Sequence, residues 1–299
     1  MFNKKIQLVA EIGCNHMGQI NLAKIMIDQA KRAGADYVKF QKRDNKNLLN
    51  KKQYNERHPV PHNSFGKTYG EHREHLEFDI STHKKIFNYC KKRKIKYSCS
   101  AWDIKSAQQL SKICKQYIKI PSATNLNFQV LDFLCSKYFG DIHISTGMTS
   151  EKEVNTIFEF MKKRKRLNNL VLYSCVSAYP VDYSDVCLLD VKRLTQKYGK
   201  YIKAVGFSGH HRGVSIDNCT IALGATWVER HFTFDRSAKG TDHAASLELD
   251  GFMKLRGRID STSLALNYKP KKILKCEKFQ RSYLKNVVNR ETKKNKQHN

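Results

Sequence analysis

His210 and His231 are the residues of this sequence best suited to holding a divalent ion. They end two successive strand-like runs, and Asp242 follows eleven residues beyond the second. Two imidazoles placed this way leave coordination positions open for substrate and water. No cysteine stands at a useful ligand spacing, so manganese or magnesium is expected rather than structural zinc. Lys39 and Lys119 are the second signal, each lying inside an apolar run, DYVKFQ and YIKIPS. An unpaired ammonium buried there is costly, and a bound anion would remove the cost. With the hydroxyls of Ser100, Ser122, Ser145 and Ser208, the two lysines suit a small molecule carrying both a phosphate and a carboxylate. The competing reading is structural, with each lysine paired to a carboxylate such as Glu11.

These residues need a scaffold that brings distant segments together. Short β-branched or aromatic runs recur near 6–12, 36–41, 95–100, 117–121, 141–146, 170–175, 202–208 and 226–231. Each is followed by a stretch with helical spacing of apolar residues: 20–33, 80–92, 104–115, 126–137, 150–163, 186–197, 214–223 and 247–259. Alternation of this kind implies parallel strands joined by right-handed crossovers. The first strand runs into EIGCNHMG, which is not the glycine fingerprint of a doubly wound sheet. The expectation is therefore an α/β fold, a (β/α)8 TIM barrel over 1–263, whose site lies at the C-terminal strand ends. Those ends are polar throughout and include Glu11, Gln41, Ser177 and Tyr179 besides the residues above. The 42–78 segment is too long for an ordinary connection and reads either as a lid or substrate loop or, equally, as a solvated insertion.

Composition sets outer limits. With 40% hydrophobic and 27% charged residues the chain reads as soluble and globular. No apolar run is long enough for a membrane span and the start carries no signal-peptide pattern, so a cytoplasmic enzyme is expected. Nine scattered cysteines form no C-x-x-C pair and read as reduced. A formal charge of +28 would suit a polyanion partner, but the basic residues are spread along the chain and no nucleic-acid module accompanies them. Residues 264–299 read as a basic C-terminal extension, one short packed segment followed by disorder.

Taken in order, AEIGCNHMG, ADYVKFQ, YIKIPSA, HISTGM, LYSCVSAYP, GFSGHH and GATWVERHFTFDRSAKGTDHAASLE resemble the catalytic barrel of the N-acetylneuraminate synthase family, from about residue 6 to 260. The resemblance implies condensation of phosphoenolpyruvate with an N-acyl aminosugar to give a nonulosonic acid and phosphate. It implies that His210 and His231 bind the metal and that Glu11 handles a proton or positions water. Lys39, Ser100 and Ser145 then correspond to residues holding the phosphoenolpyruvate carboxylate, and Lys119, Ser122 and Ser208 to those holding its phosphate. Gln41, Tyr179 and Asp242 match positions facing the sugar. Two departures stand inside the motifs: the family's S-D-H-T is Ser208-Gly209-His210-His211 here, and an asparagine of the phosphate pocket is replaced by Ser177. The family's antifreeze-like domain, which reaches across a homodimer with an arginine for the sugar, is not expected after the linker-like run near Cys276 to Leu284.

Other classes stay open at this stage. A metal-dependent aldolase on the same barrel would use the same cavity, or a Schiff base on Lys39 or Lys119. A degenerate barrel binding polyanions would account for the charge. Both N-acetylmannosamine and a 2,4-diacetamido-trideoxyhexose fit as the aminosugar.

Overall fold

Runs rich in Val, Ile, Tyr and Phe favour extended backbone, and here they pair in the order in which they occur. The computed structural model describes residues 5–285. In it β1 (Gln7–Gly13), β2 (Tyr37–Lys42), β3 (Lys96–Ala101), β4 (Tyr117–Ile120), β5 (Asp141–Ser145), β6 (Leu170–Cys175), β7 (Ala204–Gly209) and β8 (Trp227–His231) close into one barrel. All eight pairings are parallel, including the closing one that sets Glu11 opposite His231. The fold is the expected (β/α)8 barrel.

Helices cover the outside. α1 (Ile20–Arg32) follows β1, and the β2–β3 connection carries α2 (Asn45–Leu48), α3 (Lys51–Asn55), α4 (Tyr69–Leu76) and α5 (Ile80–Lys92). Then α6 (Ile104–Leu110), α7 (Phe128–Lys137), α8 (Glu151–Lys163), α9 (Leu189–Tyr198), α10 (Cys219–Ala222) and α11 (Leu249–Ala265) follow the remaining strands in turn. Ser150 caps α8 reciprocally with Glu153, as its spacing in the sequence suggests. Two helices are shorter than the periodicity implies. α6 stops where the amides of Ile113 and Cys114 share the Leu110 carbonyl. The stretch before α10 is not helical because arginines take its carbonyls: Arg230 binds that of Gly213 at 2.9 Å and Arg258 that of Val214 at 2.6 Å.

Strand alternation divides the barrel interior into layers. Val9, Tyr37, Tyr117, Val171, Tyr173 and Trp227 form an apolar floor. His143 lies in it, stacked on Tyr117 with ring centroids 3.8 Å apart. Two positions further along the same strands stand Glu11, Lys39, Lys119, Cys175 and Glu229. The floor thus excludes water from below, and the polar layer begins directly above it.

The chain divides after Ser263 into the barrel unit and a second unit made of the residues from Leu264 onward. Within the latter, Lys269 pairs with Glu277 at 2.6 Å. The disorder expected for the end of the basic extension falls on residues 286–299, outside the described residues. Among the described residues no helix is long and apolar enough to cross a membrane.

Candidate active site

The polar layer opens into a cavity of about 200 Å³ at the C-terminal ends of the strands. Its walls include Glu11, Lys39, Gln41, Ser100, Lys119 and Ser122, together with Ser145, Ser177, Tyr179, Ser208, His210 and His231. Twelve of the thirteen residues singled out from sequence therefore share one wall. The thirteenth, Asp242, stands at the rim rather than in the wall, its Oδ2 3.8 Å from His231 Nδ1. Gly13 marks how tightly this corner is packed: its φ of +56° suits glycine, and a Cβ there would press on Gln41, Glu11 and Asp242.

The two lysines are not left unpaired, as the structural reading of them expects. Lys39 Nζ lies 2.5 Å from Glu11 Oε2, 3.6 Å from Glu229 Oε1 and 2.8 Å from Ser100 Oγ. Lys119 Nζ lies 2.7 Å from Glu229 Oε1 and 3.5 Å from Ser208 Oγ, over the ring of Tyr173. Two ammoniums thus face two carboxylates, and the cost of burial is met inside the barrel.

The four groups do not titrate alike. Burial lifts the Glu11 carboxyl above its ordinary value, and the Glu229 charge adds to this although Lys39 opposes it. Burial works the same way on Glu229, but Lys119 and Lys39 outweigh it and hold that carboxyl at about 2. Lys39, between two carboxylates, is raised despite its burial; burial lowers Lys119, which the Glu229 carboxylate opposes and the Lys39 charge reinforces. Glu11 is therefore the member best placed to exchange a proton.

Glu229 stands among the polar strand ends but was given no role from sequence, although alternation along β8 places it two positions before His231 and so on the same face. Trp102, Met148 and Cys175 also line the cavity and were not singled out. Cys175 corrects the view that no thiol lies near the histidines: its Sγ is 4.0 Å from His210 Nδ1. Burial opposes its ionisation, but His210, Lys119 and Ser122 bring its pKa below the usual thiol value.

His210 and His231 face each other with ring centroids 5.4 Å apart. His210 Nδ1 is 2.7 Å from the Val176 carbonyl, which can only accept, so Nδ1 carries a hydrogen; burial works to lower this imidazole's pKa, but Cys175 and the Val176 carbonyl raise it above its ordinary value. His231 is held neutral, near a pKa of about 4, first by burial and then by the charges of His210 and Lys39. Its Nδ1 is buried without a hydrogen-bond partner. Tyr179 packs against both rings, 4.3 Å from His210 and 5.9 Å from His231. Among the described residues no three His, Cys, Asp or Glu side chains are grouped as a closed metal cage. Two facing imidazoles, one with an orphaned nitrogen, suit an ion that keeps most of its coordination open.

Ser122 Oγ lies 3.7 Å from Cys175 Sγ, and Ser177 Oγ is buried with no partner. Both crowd the position that a side chain on Gly147 would occupy. Behind the histidines, Arg230 is fully buried and bonds Asp217 Oδ2 at 2.7 Å, while His211 Nε2 reaches the same oxygen at 3.1 Å. His211 thus points away from the cavity, and this network fixes the backbone beside both imidazoles.

Known proteins resemble both the sequence and the fold. N-acetylneuraminate-9-phosphate synthase of Drosophila melanogaster is 38% identical over 81% of this chain, which spans 64% of that protein's length. The Mus musculus protein of the same name is 36% identical over 90% of the chain and 74% of its own length. N,N'-diacetyllegionaminic acid synthase of Campylobacter jejuni is 32% identical, covering 92% of this chain and 81% of that one. A crystal structure of N-acetylneuraminic acid (sialic acid) synthetase from Leptospira borgpetersenii superposes with a TM-score of 0.79 at 26% identity, covering 95% of this chain and 93% of that one. The model of the NeuB family matches residues 26–271, and with these relatives it shows that the chain belongs to the NeuB family.

Proposed function

We propose that the protein is a nonulosonic acid synthase, condensing phosphoenolpyruvate with an N-acyl aminosugar and water and releasing phosphate. What carries the reading is the convergence, in a NeuB-family barrel, of two buried lysines, a set of hydroxyls and two imidazoles on one cavity. The Drosophila melanogaster and Mus musculus relatives are named for neuraminate synthesis, which favours N-acetylmannosamine, free or phosphorylated, over a trideoxyhexose.

The residues divide the task. Lys39, Ser100 and Ser145 hold the substrate carboxylate; Lys119, Ser122, Ser177 and Ser208 hold the phosphate. As the anion enters, Lys39 exchanges part of its contact with Glu11 for the carboxylate, which lets Glu11 take up a proton. Carbon 3 of phosphoenolpyruvate bonds to the aldehyde carbon, and the aldehyde oxygen receives that proton. Water then adds to carbon 2 and returns a proton to Glu11. The carbon 2 to oxygen bond breaks as the new carbonyl forms, and phosphate leaves with its bridging oxygen and the hydroxyl proton. Glu229 keeps both ammoniums in place, and Gln41, Tyr179 and Asp242 orient the sugar.

His210 and His231 are proposed to hold manganese or magnesium, which when bound would polarise the aldehyde as a Lewis acid. The test is incubation with phosphoenolpyruvate, manganese and a panel of N-acyl aminosugars, following phosphate release and product mass. A product equal to sugar plus pyruvate, lost on adding chelator, supports the reading; release of phosphate without a sugar adduct rejects it.

A further inference from the structure

Trp102 stands in the cavity wall without a role in the chemistry above, and its donor meets no acceptor. Apart from carboxylate oxygens, the polar side-chain atoms of that wall that are buried without a partner are Ser177 Oγ, His231 Nδ1 and Trp102 Nε1. The first is assigned to the substrate phosphate and the second to the metal. An indole N–H can only donate, and a buried donor left unpaired is costly. The wall therefore offers one neutral hydrogen bond that an incoming acceptor would complete.

The ring is held from two directions. Its backbone is clamped at the end of β3, where the Trp102 amide donates to the Lys42 carbonyl at 3.2 Å. The adjoining Asp103 accepts from the Asp44 amide at 2.8 Å and, in capping α6, from the Ser106 amide at 2.8 Å. One face of the indole is covered by Arg43, whose guanidinium carbon lies 4.0 Å from the ring centre. Arg43 is bonded in turn to Gln41 Oε1 and, at 3.4 Å, to Cys14 Sγ, while Gln41 Nε2 donates to Glu11 Oε1 at 2.8 Å. Swinging the ring away would give up the cation–π contact, so the indole is positioned before any substrate arrives.

We infer that Trp102 is a specificity-determining contact for the acylamino group of the sugar, its N–H donating to the acyl carbonyl oxygen. The inference rests on the synthase reading, which brings phosphoenolpyruvate and the sugar aldehyde into this cavity. The acylamino group is carried on carbon 2, one bond from the reacting aldehyde carbon. It therefore stays at the phosphoenolpyruvate end of the sugar, beside Ser100 and Gln41. Trp102 follows Ser100 by two residues and is joined to Gln41 through Arg43. The chemistry matches this placement. Sugar hydroxyls donate as well as accept, and the Gln41 amide, Tyr179 hydroxyl and Asp242 carboxylate suit them. The acyl carbonyl only accepts and ends in a methyl group, whereas the indole only donates and has an apolar body. A buried donor built for one acceptor also rejects analogues that leave it unpaired.

The protein has two tryptophans, Trp102 and the floor residue Trp227, so indole emission reads the contact directly. The probes are N-acetylmannosamine and 2-deoxyglucose, which carries hydrogen at carbon 2, each free and 6-phosphorylated, with phosphoenolpyruvate and chelator present. The acylated sugar should change the emission saturably and the deoxy sugar should not, a comparison that needs no variant. In W102F, which keeps an aromatic ring and removes the donor, that change should be lost. With manganese, its KM for the acylated sugar should rise about 5- to 50-fold, as for a buried acceptor deprived of its donor, and its KM for phosphoenolpyruvate by less than about threefold. No emission change in the unaltered protein, the same change with the deoxy sugar, a change that survives in W102F, or equal rises in both KM values overturns the contact. A saturable emission change that depends on Trp102, with no condensation product from any of these sugars, would instead reject the synthase reading and leave the contact standing.

Discussion

Single residues divide the cavity's work, and their replacement should show it. Lys119→Ala removes the ammonium assigned to the substrate phosphate while Lys39 stays near Glu229, so the KM for phosphoenolpyruvate should rise about 10- to 100-fold, as expected for losing a charged hydrogen bond. An unchanged KM would reassign the phosphate. His231→Ala removes an imidazole whose Nδ1 has no other partner, and manganese-dependent turnover should disappear while urea unfolding stays cooperative. Persistent turnover at wild-type manganese concentrations would show that the metal, if any, is held elsewhere. Most of these positions were legible because strand alternation and strand-end polarity are local properties. Pairing of a lysine with Glu11 was open from the sequence, but the part Glu229 plays was not, since Lys119 and Glu229 lie 110 residues apart and meet only when the barrel closes. The same holds for Cys175: its distance from His210 depends on the register of β6 against β7, which spacing along the chain does not reveal.

At the scale of elements, the eight strands announced themselves through their apolar runs, whereas the connections depended on side chains arriving from elsewhere. The turn before α10 is the clearest case, because Arg230 and Arg258, both further along the chain, claim the carbonyls a helix would have used. That network has a measurable weight. Asp217→Ala leaves the fully buried Arg230 without its carboxylate, which should cost about 3–5 kcal/mol in urea unfolding and lower metal-dependent activity by loosening the β7 and β8 ends. A loss below about 1 kcal/mol, the range of an exposed pair, would mean the network does not hold the site. The unusual length of the β2–β3 connection was legible, but not its three short helices. α4 starts from the Thr68–Glu71 capping box, a signal of four residues inside a polar stretch with little apolar periodicity.

The molecule as a whole carries several imidazoles that folding keeps uncharged. Burial holds His16 and His83 near a pKa of about 3 and holds His143 well below its ordinary value. Each regains an ordinary pKa on unfolding, so between those values and about 6.5 the unfolded chain binds more protons than the folded one. Stability should therefore be fully present above about pH 7 and fall with acidification, by roughly 1.4 kcal/mol per pH unit for each of these histidines. Urea midpoints at pH 7 and pH 5 check this; equal midpoints would show that the three imidazoles titrate freely. The barrel architecture was readable before any coordinates because eight repeats of one pattern admit few closures, whereas the role of the +28 charge was not, since composition does not say where charges gather. The central claim is that this barrel joins phosphoenolpyruvate to an aminosugar by breaking the carbon–oxygen bond, and turnover in ¹⁸O-enriched water tests it most directly. The account predicts a product of sugar plus pyruvate mass, with the ¹⁸O confined to it and the released phosphate unlabelled. Labelled phosphate, or phosphate released without that product, would contradict it.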